Sequence, residues 1–129
     1  MPSGAGDRTD ILVEALPETH REFPEAGEPL KLVIEVKCAG NKNLKTAQEK
    51  QLVDRYLKEA RTDVGIYLVG WHPVKLWTTR DNAYRIRAKK LRPDTLQADL
   101  DQQAAQLSRS RGVHVRSLVI TVPRPHKHT

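Results

Sequence analysis

The chain has 129 residues, of which 38% are hydrophobic, with a mean hydropathy of -0.61 and a single cysteine, Cys38. That length suits one domain with a real core. An internal disulfide is excluded, and no apolar run approaches the roughly 20 residues that span a bilayer, so a cytoplasmic protein is expected. The net charge of +6 and pI near 9.7 favour polyanionic partners, nucleic acid first.

Residues 1–9 are Gly/Ser/Pro-rich and carry no apolar period, which predicts a flexible N-terminus. Asp10 to Ala15 alternates as a short strand, with Asp10, Leu12 and Glu14 on one face. A loop rich in Pro and Glu follows, long enough to bring the chain back antiparallel. Leu30 to Lys37 (LKLVIEVK) is the organising strand: β-branched and apolar until Glu35 and Lys37 break the pattern at its end. Strand alternation puts Val33, Glu35 and Lys37 on one face and Leu32, Ile34 and Val36 on the other.

After a polar turn, Thr46 and Glu49 have the spacing of a capping box. Ala47, Leu52, Val53, Tyr56, Leu57 and Ala60 then form a helical stripe. Val64 to Val69 is a second apolar strand, reached through that crossover helix and therefore expected parallel to the first. Trp71 and Trp77 are expected to cap the sheet edge. Arg92-Pro93-Asp94 opens a second amphipathic helix on Leu96, Leu100, Ala104 and Leu107, Gly112 ends it, and Val113 to Val122 is the last strand. Residues 123–129 form a basic tail, expected to be disordered. The whole is a single α/β domain over residues 10–122, a central mixed sheet flanked by helices.

Charges on a central strand are costly unless they are paired or bound to something. Hard divalent cations such as Mg²⁺ take carboxylate and carbonyl oxygens. Asp10 and Glu35 on neighbouring strands, with the main-chain carbonyl of Val36, supply half such a shell, and Lys37 shares the face of Glu35. Those parts suit phosphodiester hydrolysis.

The order of these segments, Asp10-Ile11-Leu12-Val13, Ile34-Glu35-Val36-Lys37, Gln51 to Leu57 and Gly65 to Trp71, resembles the PD-(D/E)xK nuclease superfamily, the restriction-endonuclease-like fold. The resemblance covers about half the chain. It implies a Mg²⁺- or Mn²⁺-dependent nuclease acting on DNA, with Asp10 and Glu35 as metal ligands, Lys37 as the catalytic lysine and Gln51 as an accessory residue on the following helix. The basic stretch from Arg80 to Arg92 would contact phosphates.

Two departures stand out: Thr9 replaces the usual proline before the aspartate, and the N-terminal helix of the fold is missing. The chain is then a C-terminal piece of a larger protein, or half of a homodimer whose partner covers the exposed sheet, or an abbreviated fold. The rival expectation is a catalytically inactive module with the nuclease fold, serving nucleic-acid binding or protein interaction.

Overall fold

The computed structural model describes residues 10–15, 30–71 and 82–121, at positions 10, 15, 82, 84 and 85 through the backbone alone. The expected flexible N-terminus, the basic tail and Trp77 lie outside the described residues. Four strands form one mixed sheet in the order β1 (Asp10–Ala15), β2 (Leu30–Cys38), β3 (Val64–Trp71) and β4 (His114–Thr121). β1 runs antiparallel to β2, while β2, β3 and β4 are mutually parallel. The parallel pairs follow from their connections, since each successive strand is reached through helix and must cross the sheet to re-enter in the same direction.

Between β2 and β3 lies a π-helix, π1 (Gln48–Tyr56), running directly into an α-helical turn, α1 (Leu57–Ala60). The sequence stripe predicts an ordinary α-helix here, and the structure corrects that. The Leu57 N–H donates to the Leu52 carbonyl, five residues back. The wider turn carries the five-residue gap between Ala47 and Leu52 and brings the adjacent pairs Leu52/Val53 and Tyr56/Leu57 inward together, all buried.

The capping box does not form either. The Thr46 N–H that the Glu49 carboxylate would take already donates to the Asn43 carbonyl at 3.1 Å, in a turn that leads into the helix. The Thr46 hydroxyl instead donates to the Asn43 carbonyl at 3.3 Å, and the Glu49 carboxylate accepts from Arg111 Nη2 at 2.7 Å.

Two more helices follow β3. α2 (Asn82–Lys89) was not legible in the basic stretch, where charge hides any apolar stripe. α3 (Pro93–Arg111) begins with proline in its first turn, behind an extended Arg92. It buries Leu96, Leu100, Ala104 and Leu107 as its spacing predicts, and ends at Gly112 with φ of 66°.

π1, α1 and α3 cover the sheet face that carries Val33, Glu35, Lys37, Tyr67, Val69 and Val115. Close approach of this layer requires Gly65. A Cβ there would stand 3.0 Å from Leu52 Cδ1 and 3.1 Å from Leu57 Cδ2.

α3 also shields the outer edge of β4. Gln97 donates through Nε2 to the Ser117 carbonyl at 3.0 Å and accepts the Val119 N–H at 2.7 Å, and Ser108 Oγ accepts the Val115 N–H at 3.2 Å. An uncovered edge would offer those groups to another chain. The opposite sheet face leaves Ile11, Val13, Leu118 and Ile120 exposed. No helix among the described residues is long and apolar enough to cross a membrane.

Candidate functional site

The candidate site grows out of β2, because alternation there turns two charged side chains into the covered face. Glu35 is 0% exposed and Lys37 6% exposed. Their groups meet at 3.4 Å between Nζ and Oε1, the contact that an i, i+2 pair on one face of a strand allows. At an effective dielectric of about 20 this separation gives an attraction of about 5 kcal/mol. Desolvation costs several kcal/mol per ion, so the pair contributes little net stability.

β1 brings Asp10 into register directly across from Glu35; its side chain is outside the described ones. Val36, the third suggested metal ligand through its carbonyl, pairs in register with Leu68 and is half-buried. The helical cover thins toward β1, where Leu12, opposite Val33 on the same face as Glu35, is 50% exposed.

On the other side of Glu35 stands Tyr67, its register partner on β3, fully buried. The Tyr67 hydroxyl donates to the Leu44 carbonyl at 2.6 Å. Burial, and secondarily the negative charge of Glu35, raises its pKa well above the ordinary phenol value, so Tyr67 is a fixed donor that stays protonated. Sequence reasoning passed it over as one more apolar strand residue. The signal was its place opposite Glu35, visible only once the strands were paired.

Gln51, the accessory residue of the sequence reading, is half-buried on π1. The glutamine that enters the interior is Gln48, 0% exposed, which donates through Nε2 to the Leu100 carbonyl at 3.2 Å and to Gln103 Oε1 at 2.8 Å. Its own Oε1 is buried with no hydrogen-bond partner. Gln48 lies four residues before Leu52, on the stripe, where a polar side chain is invisible to an apolar pattern.

Among the described side chains no group of three or more His, Cys, Asp and Glu gathers as a metal site. The oxygen-bearing groups that the sequence reading assigns to a cation are the Glu35 carboxylate, the Val36 carbonyl and, in register across from Glu35, Asp10. They form an all-oxygen set of the kind hard cations take. Arg87, from the basic stretch, donates through Nε to the Gly40 carbonyl at 2.8 Å just beyond the end of β2, while Arg80 lies outside the described residues.

A family model described as a domain of unknown function, DUF8371, matches residues 24–73. The matched stretch contains β2, π1, α1 and β3, and with them Glu35, Lys37, Gln48 and Tyr67. It covers less than half the chain, and Asp10, α3 and β4 lie outside it. No curated protein and no solved structure matches the chain.

Proposed function

We propose that this protein is a Mg²⁺-dependent nuclease of the PD-(D/E)xK type, with a restriction-endonuclease-like fold, that hydrolyses DNA phosphodiester bonds. The observation that carries this reading is the burial of Glu35 and Lys37 side by side on a central strand with Asp10 in register opposite. Such a pair contributes little to stability, and costly ionisable groups in unusual surroundings concentrate where chemistry is done.

In this reading Asp10, Glu35 and the Val36 carbonyl hold the cation. When bound, the cation polarises the scissile phosphate and lowers the pKa of the attacking water. Lys37 orients that water and offsets negative charge developing on the phosphate. Its ammonium is held in place by Glu35, so it enters the reaction already oriented. Tyr67 keeps a neutral hydroxyl beside the carboxylate and fixes the loop after β2. Gln51 serves as the accessory residue on π1.

The complete burial of Glu35 favours a second reading, a closed and inactive nuclease-fold module that binds nucleic acid or protein. Cleavage of supercoiled and linear duplex DNA by the purified chain, with Mg²⁺, Mn²⁺ or EDTA, decides between them. The nuclease reading requires metal-dependent cleavage that falls at least about 100-fold in Glu35→Gln and in Lys37→Ala, the scale of losing one charge-stabilising group. Cleavage that survives both substitutions overturns it. Absence of cleavage with any metal, in a chain that still binds DNA, establishes the inactive module.

A further inference from the structure

The segment between β2 and π1, residues 39–47, leaves the sheet after Cys38, one residue beyond Lys37, and is held by its own carbonyls. Tyr67 binds the Leu44 carbonyl at 2.6 Å, Arg87 Nε the Gly40 carbonyl at 2.8 Å, and Gln103 Nε2 the Lys45 carbonyl at 3.2 Å. Inside it the Asn41 side chain accepts the Asn43 N–H at 2.8 Å. Side chains from β3, α2 and α3 thus hold one loop, which therefore presents its lysines from a fixed backbone.

Against this loop lie two adjoining cavities. One, of about 240 Å³, is lined by Lys42, Lys45, Arg87 and Lys90 over an apolar floor that includes Leu44. The other, of about 450 Å³, is lined by Lys45, Lys90, Arg92 and Asp99 among others. Lys45, Lys90 and Leu91 border both, which makes them one trough. Lys42, Lys45, Lys90 and Arg92 are exposed. No ion pair engages Lys42, Lys45 or Lys90 among the described residues. Among the described residues the one ion pair of Arg92 is with the exposed Asp94, at 3.8 Å.

Cations at this density, with Asp99 the lone carboxylate among the described lining residues, call for a ligand with repeated negative charge. No aromatic ring lines either cavity among the described residues, so those residues offer no platform on which an unpaired base would stack. Recognition through phosphates alone remains, and that is how a duplex backbone is held without regard to sequence.

We propose that this trough seats the phosphodiester backbone of duplex DNA, with adjacent phosphates at its Lys42–Arg87 and Lys90–Arg92 ends. The choice of DNA rests on the nuclease reading. The trough places the strand beyond the end of β2, where Ala39, Asn41 and Lys42 line it.

The test is fluorescence anisotropy of a short labelled DNA duplex with the full chain in EDTA, over a salt series, so that binding is read without cleavage. The variant Lys45→Gln/Lys90→Gln is compared with Lys58→Gln/Arg109→Gln, which removes the same charge from exposed positions outside the trough. Each phosphate contact contributes a salt slope of about 0.9, so losing two contacts weakens binding about 50-fold near 0.1 M salt and lowers the slope by about 2. The comparison variant should bind nearly as the parent does.

Equal losses in the two variants, or none in the first, overturn the trough even if Mg²⁺-dependent cleavage is observed. Selective loss in the first supports it even if no cleavage is found, in which case the nuclease reading alone falls. Tighter, trough-dependent binding of an RNA duplex than of the DNA duplex overturns the choice of polymer.

Discussion

Breaking the Glu35–Lys37 pair from one side should be far more damaging than removing both charges. Lys37→Met keeps the length of the side chain and deletes its ammonium, leaving a carboxylate that is 0% exposed without the cation 3.4 Å away. The attraction lost is about 5 kcal/mol at an effective dielectric of about 20. Removing one partner of a buried pair typically costs 3–5 kcal/mol, which for a chain of this size lowers Tm by roughly 10–20 °C. Glu35→Gln should cost less, because the long stem of Lys37 can carry its ammonium toward water while the short Glu35 side chain cannot follow. In Glu35→Gln/Lys37→Met neither charge remains, and most of the loss should be recovered. Urea denaturation of the parent, both single variants and the double variant gives the coupling energy directly. A coupling below about 1 kcal/mol, in the range of exposed pairs, would refute the claim that the two groups are held as a desolvated ion pair.

Three further outcomes follow from the packing. Gly65→Val should destabilise by about 1–3 kcal/mol, read as a lowered urea midpoint, because the new side chain meets Leu52 and Leu57 where a Cβ alone is already tight. Gln97→Ala leaves the Val119 N–H and the Ser117 carbonyl on the β4 edge without their side-chain partner. It should cost about 1–3 kcal/mol, measurable by thermal melting, and raise concentration-dependent association of the uncovered strand. Tyr67 has its pKa raised in the folded state, so its contribution to stability is complete below the ordinary phenol value of about 10 and is lost as pH rises beyond it. Ultraviolet titration should show a tyrosine component that ionises only at more alkaline pH or on unfolding, and Tyr67→Phe should remove that component.

By itself the sequence determined what is local and periodic. Alternation along Leu30 to Lys37 placed Val33, Glu35 and Lys37 on one face, the i, i+4 spacing of Leu96, Leu100 and Ala104 specified the inner face of α3, and Gly112 marked its end. The crossover between Lys37 and Val64 made β2 and β3 parallel neighbours for reasons of chain path alone. Tertiary packing decided which sheet face is covered, and hence that Glu35 and Lys37 are buried rather than at a solvated strand end. It also brought Gln48 rather than Gln51 fully into the interior, through a π-helical turn that depends on how Leu52 and Leu57 settle over Gly65. The cationic trough was half legible in sequence, where the basic stretch supplies Arg87, Lys90 and Arg92, but nothing there joined Lys42 and Lys45 to it. Lys42 and Lys45 are more than forty residues from Lys90 and Arg92, and core packing of Leu44 and Leu91 together with the hydrogen bonds of Tyr67, Arg87 and Gln103 to the carbonyls of one loop brings them together. Periodicity reports which side of its own element a residue occupies, whereas burial and charge clustering depend on what another element sets against that side.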